Sequence, residues 1–156
     1  NPMMMELLKT AVKQPLKVNQ LQLSAAFTPS FEAGFHVNME GPKAAVRDGS
    51  VFEYCRLTDT VIQAWSVLQH GYFKGNFVGK EEFAALNHVL NDLAKKYQVT
   101  PTAIALAWVL RYPGKMQAVI GTTKPQHVLE AGKAADVTLT RKEWYQVYLA
   151  AGNDLP

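Results

Sequence analysis

Residues 116–125, which read MQAVIGTTKP, contain the change of pattern that decides the fold. The apolar run predicts a short, mostly buried strand over residues 116–121. A polar loop of three residues follows, and Pro125 stands where proline commonly opens a helix. A strand that passes through a short loop into a helix is the repeating unit of parallel α/β sheets.

The same alternation of strands and helices extends over the rest of the chain. Residues 16–23 (LKVNQLQL) alternate apolar and polar side chains and predict a strand, as do residues 60–66 (TVIQAWS). Apolar spacing and capping residues predict helices over residues 3–12, 50–57, 83–97 and 102–110, with two more beginning near 125 and 141. The alternation predicts a parallel sheet with helices outside, but three strands are too few for an eight-stranded barrel, which takes about 250 residues. They are also too few for an open doubly wound sheet.

The final helix has the most complete start signal in the sequence. Thr140 and Glu143 have the spacing of a capping box, and Leu139 and Trp144 have that of a hydrophobic staple. Residues 24–49, in contrast, read as a long connection punctuated by glycine and proline, including Gly41, Pro42 and Gly49.

Composition excludes several classes of protein. Hydrophobic residues make up 48% and charged residues 19% of the 156, which indicates a globular domain and not a disordered chain. The net charge of +3 comes from scattered Lys and Arg residues, so we expect no nucleic-acid partner. A single cysteine, Cys55, and the lack of an apolar run of membrane-spanning length predict a cytoplasmic protein without membrane contact. The chain begins with a helix-capping Asn1, so we expect that a preceding strand has been lost.

The loop after the third predicted strand has the chemistry of a phosphate site. Gly121 lets backbone approach a ligand closely, while Thr122, Thr123 and Lys124 supply hydroxyls and a cation beside a helix N-terminus. The alternative is an ordinary strand-to-helix turn in which the threonines bond their own backbone.

Two other features favour a ligand site without requiring one. Trp65 ends a predicted strand, where sites form in parallel sheets and where its ring could stack on a flat ligand; it could equally be a core tryptophan. Asn19 and Gln20 place amides inside a strand that should be buried, so they either bind a ligand or find partners in the core. The four histidines and Cys55 show no metal-ligand spacing.

These segments together resemble a known family. Residues 18–21 (VNQL) resemble the sixth barrel strand of the aldo-keto reductases, residues 62–68 (IQAWSVL) the seventh, and residues 119–125 (VIGTTKP) the eighth with its phosphate loop. The motifs occur in family order, and residues 139–145 (LTRKEWY) resemble the tail of the bacterial oxidoreductase branch. The resemblance implies that residues 1–156 are the C-terminal half of a (β/α)8 TIM barrel, namely strands 6 to 8 with their helices.

The resemblance also implies a wall for NADPH. Carried over by position, Gln20 would bond the nicotinamide carboxamide, Trp65 would stack on the nicotinamide ring, and Ser66, Val67 and Leu68 would line the pyrophosphate path. Gly121, Thr122, Thr123 and Lys124 would hold the 2′-phosphate and adenosine ribose, and His127 and Glu130 would face the adenine.

Three departures from the family bear on the choice of cofactor. Many members have lysine where this chain has Gly121 and arginine where it has His127, so NAD stands as the alternative to NADP. Lys124 could supply the missing charge. Ala131 replaces an amide that is common in the family and removes one expected adenine contact.

The implied activity is the NAD(P)H-dependent reduction of an aldehyde or ketone to an alcohol by the parent protein. The family's catalytic Asp, Tyr, Lys and His precede the part of the barrel that this chain resembles, so the chain alone is expected to be inactive. The alternatives are an isolated half-barrel module without activity and a nucleotide-sensing regulatory subunit. A half barrel exposes strand faces and two sheet edges, so it should self-associate or stay paired with the missing N-terminal half.

Overall fold

A computed structural model describes residues 1–35, 50–71 and 75–155. In chain order, its helices and strands are α1 (Pro2–Ala11), β1 (Val18–Gln22), α2 (Pro29–Phe35), α3 (Ser50–Leu57), β2 (Val61–Trp65), α4 (Ala84–Tyr97), α5 (Pro101–Leu110), β3 (Met116–Ala118), α6 (Pro125–Gly132) and α7 (Arg141–Ala150). Short 3-10 turns at Glu81–Phe83 and Lys133–Asp136 precede α4 and follow α6. In these ranges, no helix combines the length and apolar content that crossing a membrane requires.

The three strands form one parallel sheet in the order β1-β2-β3. Because side chains alternate between the faces of a strand, Ile62 and Ala64 point to one face, where both are buried in the helix-covered core. Gln63 and Trp65 point to the other face and remain half-buried. This second face, called the open face below, carries Gln20 and Trp65, two of the side chains proposed from the sequence to bind a ligand, whereas Asn19 lies on the core face beside Met5 and Cys55.

The structure confirms the predicted order of strands and helices and corrects three details. The strand predicted over residues 116–121 ends at Ala118, although the Val119 amide still donates to the Ala64 carbonyl at 2.8 Å. Helix α2 forms within the stretch expected to be an irregular connection, while the turns expected at Gly41, Pro42 and Gly49 lie outside the described residues. Gln20 was expected to be buried but is exposed, because it points to the open face.

The core is centred on α5, which is buried continuously from Ala103 to Val109, as its all-round apolar sequence predicts. Trp108 of α5 and Trp144 of α7 stack with their ring centroids 4.8 Å apart and their planes 9° from parallel. Each indole N–H donates to the backbone carbonyl of the other tryptophan at 3.0 Å. This reciprocal pair satisfies both indole donors inside an apolar environment and holds α5 against α7.

A buried amide holds the chain that leads into α4. The Asn87 side-chain nitrogen lies 2.9 to 3.1 Å from the carbonyl oxygens of Phe77, Lys80 and Phe83, and its oxygen accepts from the Gly79 amide at 2.7 Å. Gly79 has a φ of +76°, a left-handed conformation that favours glycine. One side chain therefore contacts four backbone polar groups of this turn.

The predicted capping box at the start of α7 is present and belongs to a larger network. Glu143 accepts hydrogen bonds from the Thr140 amide at 2.7 Å and hydroxyl at 2.8 Å, from the Tyr97 hydroxyl at 2.8 Å, and from the Lys96 ammonium at 2.5 Å. Burial of the carboxyl raises its pKa, but the hydrogen bonds from Lys96, Thr140 and Tyr97 more than offset this effect. The net result is that the pKa of Glu143 is lowered to about 2.

Glu143 should make the stability of the protein depend on pH in the acid range. Its pKa is lower in the folded chain than the usual 4.5, so its contribution is present above about pH 4.5 and is lost as the pH falls towards 2. We expect Glu143→Gln to lower the free energy of unfolding at pH 7 by about 1.5–3 kcal/mol and to flatten its dependence on pH in that window. Urea unfolding at several pH values checks this, with the exposed Glu81→Gln as the control. A wild-type-like pH dependence in Glu143→Gln would contradict it.

Candidate functional site at the carboxyl end of the sheet

Three glutamines form a row across the open face. Gln20, Gln63 and Gln117 are register partners on β1, β2 and β3. The Gln20 side-chain nitrogen donates to the Gln63 oxygen at 3.0 Å, and the Gln63 nitrogen donates to the Gln117 oxygen at 3.0 Å. This amide ladder fixes the orientation of Gln20, the residue for which the resemblance implies a nicotinamide contact.

Trp65 lies on the same face as the amide ladder, two register pairs further along the strands. It is the last residue of β2 and pairs with Gln22 of β1, two residues beyond the Gln20 to Gln63 pair. Its side chain is half-buried and its backbone carbonyl accepts from the Leu23 amide at 3.3 Å. An aromatic ring and an amide therefore share one surface near the carboxyl end of the sheet.

The residues after Trp65 turn sharply away from the strand. Ser66 has a φ of +53°, which is uncommon for a residue other than glycine, and its carbonyl accepts from the Gln69 amide at 2.8 Å. Val67 is 3% exposed and packs into the core, so only its backbone could face a ligand. Leu68 is half-buried, and its carbonyl accepts from the Phe77 amide at 3.0 Å.

The predicted phosphate loop follows β3 directly and is exposed at three of its four residues. Gly121, Thr123 and Lys124 are exposed, whereas Thr122 is half-buried and accepts from the Lys124 amide at 3.2 Å. A Cβ added at Gly121 would meet nothing within 4 Å, so packing among the described residues does not require glycine there. Lys124 is exposed, and its ammonium enters none of the salt bridges found among the described residues.

The two residues expected at the adenine end lie on α6. His127 is exposed, and its Nδ1 lies 3.5 Å from the Thr122 hydroxyl. Glu130 is half-buried, and its carboxylate accepts a hydrogen bond from the side-chain nitrogen of Gln126 at 3.1 Å. The structure therefore brings His127 to the loop after β3.

Gln63 and Gln117 are the residues of this surface that the sequence interpretation missed. The signal that could have identified them is the alternation of side chains along a strand. Each glutamine occupies a polar position and pairs with another glutamine in the parallel register. Among the described residues, no three His, Cys, Asp or Glu side chains are grouped as ligands of a metal ion.

Comparison with solved structures shows which fold the three strands belong to. The chain superimposes on the thermostable aldo-keto reductase Tm1743 in complex with the inhibitor epalrestat, with a TM-score of 0.63 at 18% identity, covering 93% of this chain and 43% of that one. It also superimposes on the aldo-keto reductase AKR2E5 complexed with NADPH, with a TM-score of 0.64 at 16% identity, covering 96% of this chain and 39% of that one. The chain therefore has the α/β fold of aldo-keto reductases, with three parallel strands.

Sequence comparison gives the family. The chain is 31% identical over 151 residues to the 6-dehydroglucose reductase of Agrobacterium fabrum, covering 96% of this chain and 43% of that protein. It is 30% identical over 95 residues to the oxidoreductase YdhF of Escherichia coli, covering 60% of this chain and 30% of that protein. The chain thus spans less than half the length of these relatives. Because the model of the aldo/keto reductase family matches residues 6–149, the chain belongs to that family.

Proposed function

We propose that the chain forms strands 6 to 8 of a (β/α)8 barrel and supplies the cofactor wall of an NADPH-dependent carbonyl reductase. One observation carries the proposal: Gln20 and Trp65 share the open face of the sheet. The loop of residues 121–124 follows the neighbouring strand, which the bond from the Val119 amide to the Ala64 carbonyl joins to β2. In parallel α/β folds, ligands bind at the carboxyl ends of the strands, where these groups lie.

Each group on this surface suits one part of a nicotinamide dinucleotide. The ring of Trp65 offers a flat face for the nicotinamide, and Gln20 offers an amide for its carboxamide. The turn formed by Ser66, Val67 and Leu68 would run along the pyrophosphate, with Val67 contributing backbone only because its side chain is buried.

The groups after β3 suit the adenosine end. Hydroxyls of Thr122 and Thr123, the Lys124 ammonium and the backbone at Gly121 would hold the 2′-phosphate and ribose, and His127 and Glu130 of α6 would face the adenine. NADP is the proposed cofactor because the ammonium of Lys124 is exposed beside the loop and can pair with a phosphate. NAD is the alternative, since glycine and histidine replace two cations that are common in the family.

The proposed reaction reduces an aldehyde or ketone. NADPH, when bound, supplies the hydride for the carbonyl carbon. The residues of this chain bind and orient the cofactor; the family's Asp, Tyr, Lys and His motifs do not occur in it, so the general acid must come from another part of the protein. The name of the Agrobacterium relative makes 6-dehydroglucose the first substrate to test.

The open face and α1 suit contact with more protein. Met3, Met4 and Leu7 of α1 are 60 to 76% exposed, and Gln20 and Gln117 of the amide ladder are exposed on the open face. We propose that the remaining strands of the barrel cover these surfaces, or that a second copy of the chain does so. A reducing cytoplasm remains the expected location, because the sequence has a single cysteine.

Replacement of Trp65 tests the proposal in the full-length protein. We expect Trp65→Ala to weaken NADPH binding at least tenfold, equivalent to about 1.4 kcal/mol, because the stacking surface is lost. Trp65→Phe keeps a ring and should stay within about threefold of the wild type. Isothermal titration with NADPH and NADH gives the affinities and the cofactor preference together.

Two outcomes would argue against the proposed function. Unchanged NADPH affinity in Trp65→Ala would remove this residue from the site. Binding of NADPH without turnover of any aldehyde or ketone would favour a nucleotide-sensing subunit over a reductase.

A further inference from the structure

We propose that a cavity at the amino-terminal end of the sheet binds a small aromatic anion, with an aromatic carboxylate as the representative ligand. The cavity has a volume of about 340 Å³. It is lined by aromatic, arginine and glutamate side chains, namely Phe31, Glu53, Arg56, Arg111, Tyr112, Pro113, Arg141, Trp144 and Tyr145.

The cavity lies away from the surface that carries Trp65. Arg56 belongs to the last turn of α3, which precedes β2, and Arg111 and Tyr112 lie between α5 and β3. These residues therefore surround the points where the strands begin, whereas Trp65 and Thr122 stand where the strands have ended. A ligand in the cavity would not occupy the proposed cofactor surface.

The charge of the cavity lining favours the binding of an anion. Three arginines face one glutamate, and none of the three guanidinium groups forms a salt bridge within residues 1–35, 50–71 and 75–155. The lining therefore carries a net positive charge, which attracts an anion. A guanidinium also matches a carboxylate by paired N–H donors.

Neighbouring groups hold the arginines in place. The Arg111 Nε donates to the Leu139 carbonyl at 2.9 Å, which leaves its terminal nitrogens for a ligand. The Arg141 guanidinium lies 5.7 Å from the centroid of the Tyr145 ring. Arg56 is hydrogen-bonded to the Tyr112 hydroxyl. Because these contacts order the side chains beforehand, less conformational entropy is lost when an anion binds.

The aromatic side chains of the lining favour a ligand that contains an aromatic ring. Phe31 stacks on Tyr112 with the ring centroids 5.3 Å apart, and Tyr145 meets Trp144 edge to face at 5.2 Å. Burial raises the pKa of Tyr112, with Glu53 adding to the effect and Arg56 opposing it, to about 12, so the hydroxyl stays neutral at pH 7. The volume falls at the lower end of the range for small-molecule sites, about 300–1,000 Å³, and suits one or two fused rings.

The test is a titration of the full-length protein with 2-naphthoate and its neutral analogue 2-naphthamide. We expect naphthoate to bind at least fivefold more tightly than the amide, since only the acid can pair with the arginines. Arg141→Gln and Arg56→Gln should each weaken naphthoate binding at least threefold. The matched control Lys142→Gln removes an exposed cation from the adjacent position, which does not line the cavity, and should leave the affinity unchanged. Thermal unfolding of each variant confirms that it is folded.

Three results would each overturn the proposal. The first is no detectable binding of naphthoate, and the second is equal affinity for acid and amide, a comparison made on the wild type that needs no variant to fold. The third is loss of naphthoate binding in Trp65→Ala with retention in Arg141→Gln, which would place the ligand on the open face instead.

Discussion

A Trp144→Ala variant is expected to lose about 3–5 kcal/mol of unfolding free energy, a large fraction of what a domain of this size has. The substitution leaves a large cavity in the core and removes the indole that stacks on Trp108 at 4.8 Å. It also leaves the Trp108 carbonyl without the donor that now lies 3.0 Å away. Urea unfolding, followed by circular dichroism, measures the difference.

Two further variants separate the causes of this loss. Trp144→Phe keeps an aromatic ring but removes the N–H, so it should cost about 1–3 kcal/mol, mainly through the unsatisfied carbonyl. Trp65→Ala removes the same type of side chain from a half-buried position and should cost much less than Trp144→Ala. If Trp144→Ala and Trp65→Ala were equally stable, α5 and α7 would not be held together by the reciprocal tryptophan pair.

Asn87→Ala is expected to lower the free energy of unfolding by about 3 kcal/mol, although asparagine is a small polar residue. The alanine would remove the acceptor that lies 2.7 Å from the Gly79 amide and the side-chain nitrogen that lies 2.9 to 3.1 Å from three carbonyl oxygens, two of which also accept from backbone amides. Hydrogen exchange should accelerate at the Gly79 amide before the amides of α4 are affected.

The matched control for this variant lies one turn further along the same helix. Asn91 is exposed on α4, so Asn91→Ala should change the free energy of unfolding by no more than about 0.5 kcal/mol. Equal effects of the two substitutions would show that Asn87 acts through helix propensity and not through the turn that it holds.

Signals confined to a few neighbouring residues were sufficient for much of the fold. The start of α7 could be predicted because a capping box needs only Thr140 and Glu143, and both of its bonds are present. The burial of α5 could be predicted because apolar residues cover its whole circumference. In both cases the competing conformations are decided within one or two turns of chain.

Features that depend on distant partners could not be predicted in the same way. The end of β3 at Ala118 depends on where its pairing with β2 stops, since the apolar sequence itself continues to Ile120. Asn87 lies on the apolar face of α4, where the local sequence does not predict an amide. The amide is explained by its hydrogen bonds to a turn that lies up to ten residues away in the sequence.

The candidate site also contains residues that the local sequence predicts and residues that only the fold brings together. Trp65 and the loop of residues 121–124 follow strands, and this local position predicts a ligand surface. The contact of Gln63 and Gln117 with Gln20 depends on the sheet register, which the sequence does not specify. The arginine cavity likewise combines residues from α3, α7 and the segment after α5. No local pattern in the sequence brings Arg56, Arg111 and Arg141 together.

All hydrogen bonds of the amide ladder run in the same direction, from β1 towards β3, and this couples the orientations of the three amides. Gln63 receives a hydrogen bond from Gln20 and gives one to Gln117, so turning over its amide alone would set nitrogen against nitrogen on one side and oxygen against oxygen on the other. The three amides must therefore reverse together or stay as they are. A molecule that prefers one orientation of Gln20 would thereby set the orientation of Gln117, about 10 Å away across two strand spacings, without any movement of the backbone.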